Sequence, residues 1–481
     1  MKPVRFTLLF LAPLLAFAQA NPWYQTDFPP EEFRARWERI FSKIGENAVA
    51  ILQGVPQTNG FIMPRQGNDF YYLCGIETPH SYLLLDGRGK KVTLYLPPRN
   101  ARLESAEGKV LSADDGELVK KLVGVDEVAS TDLLRGDFLQ QRASPLDIYA
   151  PFSPAEGSAQ SRYELLAADT AVLNDYWDGR LSRESRFVEL LRSRNPRARI
   201  EDLTPILDEM RGVKSVREIA LIRRASQIAA LGIMEAMRST KPGLYEYHLD
   251  AAARYVFLAN GARLEGYRSI VAAGVPNIWN MHYYRDMAPL QDGDLVLMDF
   301  APDYHYYTSD ITRMWPINGK YNAWQRELLG FVLEYRNTVM KQIRPGITTA
   351  QILEQAKAAM APVFARWKFS KPIYEKAAHD LVDRGGGVLS HPVGMAVHDD
   401  GPYNRGPLVP GQVFSIDPQL RVPEENLYTR YEVVIVVTNN GMENFTAFLP
   451  SELNEMEKLV GVGGVVQKIP PVPESAIPIT R

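Results

Sequence analysis

A single cysteine, Cys74, is found among 481 residues. An intrachain disulfide and a cysteine-based zinc site are both excluded, so any bound metal must sit on oxygen and nitrogen donors. An excess of positive charge is missing too, because 54 lysines and arginines face 57 aspartates and glutamates for a formal net charge of -3. No global cationic field exists to hold a polyanion, which argues against a nucleic-acid partner. Glycine and proline stand at 34 each and apolar residues at 46%, which fits neither a collagen-like nor a disordered chain. Long apolar runs are scarce. Residues 6–17 form one behind Lys2 and Arg5, and Ala18-Gln19-Ala20 follows it; it falls short of the roughly 20 residues that span a bilayer. The pattern reads as a signal peptide over residues 1–20, cleaved after Ala20. A secreted or periplasmic protein with no integral membrane segment is the expectation.

What is present is patterned as two α/β units. Residues 21–202 mix short apolar runs, such as those at 48–52 and 81–85, with polar helical stretches. Within them, residues 144–158 are rich in proline, serine and glycine and read as a surface loop. Ser215 with Glu218 forms a capping box ahead of Ile219, Ile222, Ala225, Ala229 and Ile233, so a long amphipathic helix starts there. The second unit is placed at 203–465, followed by a proline-rich, weakly held tail at 466–481. It contains an echo: Lys241-Pro242-Gly243 and Arg344-Pro345-Gly346 each open a turn and an alanine-containing helix. Two βαβ-like halves around a shared cleft are the simplest arrangement.

Chemistry concentrates in that second unit. Strand-like runs around Asp299 and Asp310 predict a hairpin, and an even loop centred on Tyr304 and His305 would set the two carboxylates face to face, about 4.5–5.5 Å apart. Such a pair repels unless a proton or a hard cation holds it; two solvated surface aspartates are the bland alternative. His391 and His398 are two of only seven histidines, and seven residues apart on a flat strand they face opposite sides. One ligand and one acid/base group is the better division, unless Gly394 breaks the pleat. Asp417 and Glu432 each lie in an apolar strand pattern, and either could be a structural ion pair with Arg430. Four acids and a histidine in strands across both halves fit two close divalent ions better than five separate accidents. The glycine clusters at 385–387 and 461–464 lack the following lysine or helix of phosphate loops. His305 and the nearby tyrosines read as an exposed hairpin tip.

The order Asp299, Asp310, His391, Asp417, Glu432 resembles the five-ligand set of the pita-bread metallopeptidases, the family of methionine aminopeptidase, aminopeptidase P and prolidase. Asp310-Ile311-Thr312-Arg313, Ser390-His391, Val397-His398-Asp399 and Arg430-Tyr431-Glu432 are similar to its motif blocks, and His282 lies where its substrate-side histidine does. Arg65 to Ile76 resembles the amino-terminal domain of aminopeptidase P and creatinase. The resemblance implies two divalent ions, manganese first with zinc, cobalt or iron as alternatives, held by those five residues. It implies peptides with proline in second position as substrates, His282, His398, Arg430 and Arg421 as substrate-side groups, Asp417 or Glu432 as proton carrier, and a homo-oligomer. A prolidase-type dipeptidase, a metal-poor hydrolase and a binding scaffold are the alternatives. Departures are also visible. Asp417 stands where the family has glutamate, Gly387 where aminopeptidase P often has a histidine, Arg421 where a tyrosine is common, and Ala106 near a tryptophan position.

Overall fold

The computed structural model describes residues 24–56, 62–135, 147–385 and 387–472. Residues 1–20, expected to be a signal peptide, and the end of the tail lie outside the described residues.

The first unit is built on a six-stranded mixed sheet in the order β4-β3-β2-β1-β5-β6. Its strands are β1 (Ala48–Gln53), β2 (Tyr82–Asp86), β3 (Lys91–Leu96), β4 (Glu127–Ser130), β5 (Asp147–Ala150) and β6 (Ile200–Asp202). The β1 sequence is apolar on both faces and takes a central place, antiparallel to β2 and parallel to β5. Strand β5 corrects the loop expected at 144–158. Ile148 and Ala150 are buried there, and Pro151 follows the strand instead of interrupting it, while residues 144–146 lie outside the described residues.

The second unit holds β7 (Leu264–Glu265), β8 (Ile270–Ala273), β9 (Leu295–Asp299), β10 (Pro302–Asp303), β11 (Thr312–Pro316), β12 (Leu389–Pro392), β13 (Val413–Ile416), β14 (Gln419–Val422), β15 (Leu427–Arg430), β16 (Val433–Thr438) and β17 (Gly441–Asn444). They form sheets β11-β9-β8 and β12-β13-β16-β17 with two-stranded ribbons β14-β15 and β10-β7, and the described pairings are antiparallel. The capping box at Ser215 and Glu218 forms as the sequence predicts and opens the 24-residue helix Val216–Ser239. The echo is structural as well. Gly243 and Gly346 both adopt positive φ, of 88° and 83°, and their N–H groups bond the carbonyls of Leu290 and Leu408. Helices Glu246–Ala259 and Thr349–Arg366 follow.

His305 is exposed as expected, but the tyrosines beside it are not. Tyr306 and Tyr307 are buried, Tyr306 stacks on Tyr71 with ring centroids 3.5 Å apart, and His305 bonds Asp27 at 2.9 Å. Aromatic side chains that look like a solvated turn in sequence are thus the plug between the two units. One apolar cluster runs across this boundary, from Phe33 and Tyr72 through Leu207 and Met210 to Tyr307 and Met395. At the other end, helix Val465–Lys468 anchors the start of the tail, where Val466 is buried and Glu235 and Ser239 accept the first N–H groups, while residues 468–472 are exposed as a weakly held segment would be. It also supplies the helix that the glycines at 461–464 were expected to lack.

Candidate metal centre

The backbone explains why the acids meet. In the β9/β11 ladder Asp299 stands opposite Thr312, so Asp310 does not face Asp299 across the ladder as the even loop predicts. The intervening chain leaves to make β10, which pairs with β7, and Asp310 returns just before β11. The two aspartates meet at a third residue. The Tyr267 hydroxyl lies 2.6 Å from Asp299 Oδ1 and 3.1 Å from Asp310 Oδ1. Its loop packs that close because residue 266 is glycine: a Cβ there would fall 1.9 Å from Thr308 Oγ1. Tyr267 carries no motif, and sequence reasoning misses it.

Only Asp299 and His391 lie inside strands. Asp310 and Asp417 sit just outside them, and Glu432 falls in the break between β15 and β16, where one continuous strand was expected. Residues released from the pleat turn their side chains toward a common point, which an unbroken strand would forbid. The same release brings the histidines together. Strand β12 ends at Pro392, and the rings of His391 and His398 approach to 4.3 Å between centroids, so the opposite-face geometry of a flat strand does not hold. Gly394 is the hinge, because a Cβ on it would lie 2.1 Å from Asp399 Oδ2. Asp399, next to His398, is buried against Lys214 at 3.1 Å and against Arg211.

Donor atoms of Asp299, Asp310 and Glu432 lie within 4.8 Å of one another, as do those of Asp310, His391 and His398. Asp310 is common to both groups, so they describe two adjoining positions. Asp417 belongs to neither group and joins through Arg430, whose guanidinium reaches Asp417 Oδ1 at 2.8 Å, Asp299 Oδ2 at 2.6 Å and Glu432 Oε2 at 2.5 Å. His391 places Nε2 3.1 Å from Asp310 Oδ2. His282 stands at the exposed mouth, where desolvation and then the Arg430 charge lower its pKa. Arg421 holds its guanidinium over the rings of Tyr428 and Trp279.

The electrostatics ask for cations. Four buried carboxylates face one arginine, and burial together with neighbouring carboxylates pushes Asp310 and Glu432 well above the usual carboxylate range. Glu432 Oε1 is buried without a hydrogen-bond partner, a costly state that a bound ion would relieve. Oxygen-rich donors with imidazole suit a divalent ion, and the residues present fit one.

Comparison with known proteins agrees. A model of metallopeptidase family M24 matches residues 220–439, and one of the aminopeptidase P N-terminal domain matches 33–149. The Xaa-Pro aminopeptidase of Escherichia coli (strain K12) is 30% identical over 452 residues, covering 89% of this chain and 97% of that one. The chain belongs to the aminopeptidase P group of metallopeptidase family M24. This M24 enzyme is also 29% identical to the Xaa-Pro aminopeptidase of Haemophilus influenzae, across 91% of its own length and 99% of the relative's. The solved structure of E. coli aminopeptidase P with the inhibitor Pro-Leu superposes with a TM-score of 0.71 at 27% identity, covering 90% of this chain and 98% of that one. The protein is therefore a hydrolase of the metallopeptidase class, an aminopeptidase P-type domain in front of a pita-bread domain. Among the described residues no helix is long and apolar enough to cross a membrane.

Proposed function

We propose that this enzyme removes the N-terminal residue from peptides with proline in second position. The observation that carries the reading is the pair of adjoining donor groups sharing Asp310, one of which contains His398, with the exposed His282 close enough to feel the Arg430 and Asp299 charges. An Xaa-Pro bond has no amide N–H and a fixed φ, so peptidases that bind substrate as an added strand handle it badly. A site that holds the free amine and the proline ring avoids that requirement.

Asp299, Asp310, His391, Asp417 and Glu432 would hold two divalent ions, and manganese suits a set with four carboxylates. When bound, such ions polarise the scissile carbonyl and acidify a water molecule. The protein groups do the rest. His282 and His398 hydrogen-bond the oxygen on which charge develops, an effect worth a few kcal/mol when the donors are preorganised. Arg430 holds the carboxylates of Asp299, Asp417 and Glu432 in place, and Glu432 or Asp417 carries the proton to the leaving proline nitrogen. Arg421, stacked on Trp279, lines the wall toward the substrate. We also infer export through the segment at 1–20 and assembly as a homo-oligomer.

The test is metal analysis of protein purified without added metal, together with turnover of Xaa-Pro peptides before and after chelation. Two equivalents of divalent metal and activity restored by manganese are expected. A metal-free protein that cleaves Xaa-Pro peptides at the same rate, or a metal-loaded one that never cleaves them, overturns the reading.

A further inference from the structure

His398 is held from outside the pita-bread motifs. Its Nδ1 lies 2.6 Å from Glu164 Oε1, and its backbone N–H donates to Ser161 Oγ at 3.2 Å. Both partners come from one short segment, the start of helix Arg162–Asn174. Ser161 occupies the N-cap position of that helix, yet its hydroxyl caps nothing within it and serves His398 instead. The helix itself buries only Arg162, while Tyr163, Leu166 and Leu173 are exposed, so the core does not explain its placement. Arg162 in turn pairs with Asp208 and reaches Asp400 at 3.2 Å. Residues 398, 399 and 400 are thus each tied by a different partner.

We propose that Glu164 is the positioning residue of His398, fixing the ring and its Nδ1 proton so that Nε2 is the nitrogen presented to the substrate. A carboxylate can only accept, so the short contact places the proton on Nδ1, and the partner of one ring nitrogen decides what the other does. The pair is half exposed, at 35% and 48% of the two side chains, and such exposed pairs contribute little to folding. Loss of Glu164 therefore leaves a folded protein in which His398 is free to turn.

The inference rests on the substrate-side role proposed above for His398, and the experiment separates the two. The zinc-loaded enzyme, labelled with 15N-histidine, has few enough rings for His398 to be assigned by comparison with His398→Ala. The parent and Glu164→Gln, whose amide oxygen still accepts, are expected to show a protonated Nδ1 at His398, and Glu164→Ala to lose that signature. On an Xaa-Pro tripeptide, Glu164→Ala should lower kcat about tenfold with KM and metal content little changed, the scale usual for removing a partner of an active-site imidazole. Glu164→Gln should recover most of the rate, and Glu164→Ala/His398→Ala should be no slower than His398→Ala alone. An unchanged ring signature in Glu164→Ala, or losses that multiply in the double variant, overturns the proposal. A His398→Ala enzyme with parental turnover would instead remove the substrate role of His398, and the ring spectra alone would then decide whether Glu164 fixes it.

Discussion

Asp417 is the one residue of the five-ligand set that differs from the set the resemblance implies, and the structure shows how it is held. Arg430 and Gln419 both bond its carboxylate, and its donor atoms lie outside the two three-residue groups that meet at Asp310. A side chain one methylene longer would reach further toward those positions. Asp417→Glu is therefore expected to tighten metal binding, and Asp417→Ala to weaken it about 10–100-fold, read by competition with a chelator dye. Affinity unchanged in both variants would place Asp417 outside the site. Asp310 and Glu432 yield a prediction about pH. Their folded pKa values are raised by burial first and then, through charge, by neighbouring carboxylates. The folded apoprotein thus binds more protons than the unfolded chain above about pH 4, the ordinary carboxylate range, and its stability falls as pH rises from there. Bound metal replaces those protons. The rise in Tm on adding manganese should grow between pH 5 and pH 8, and a rise that is flat or shrinks over that range would contradict the assignment of both acids to the metal site.

At the scale of elements, strand β12 and the loop behind it decide where His398 stands. Gly394 admits the Asp399 carboxylate at a distance that no Cβ tolerates, and Arg211 and Lys214 then clamp it. Gly394→Ala must push that carboxylate away from its buried cations. A loss of about 1–3 kcal/mol, typical of overpacking, is expected by denaturant unfolding, with a fall in Xaa-Pro turnover because His398 moves with Asp399. Retained activity in a destabilised variant would show that the clamp serves only folding. A comparable close approach at Gly266 seats Tyr267 between Asp299 and Asp310, so two glycines set the spacing of the centre.

For the whole molecule the informative feature is the aromatic plug between the units. The Tyr306 hydroxyl accepts the Gln66 N–H at 2.9 Å and donates to Glu77 at 2.8 Å, and Arg65 pairs with Asp303 at 2.8 Å. Because one apolar cluster crosses the boundary, the two units should unfold together. A single calorimetric transition is expected for the parent and for Tyr306→Phe, which loses both bonds and should cost about 1–3 kcal/mol. Two separated transitions in the parent would show that the units are energetically independent.

The family, the two-unit layout and the cluster of acids and histidines were legible in the sequence, because ligand identity, motif order and helix caps such as Ser215 with Glu218 are local properties. The repeated turns at Gly243 and Gly346 were legible for the same reason. Tertiary structure alone decided which atoms meet. Asp299 and Asp310 come together through Tyr267, which belongs to no pattern. His391 and His398 share a face only because β12 stops at Pro392. The strand at 147–150 was hidden by flanking prolines, and Tyr306 looked solvated because its partners Gln66, Tyr71 and Glu77 lie more than two hundred residues away along the chain. Short-range periodicity carries no information about contacts of that separation, since they are fixed by packing and not by the backbone preferences of the residues involved.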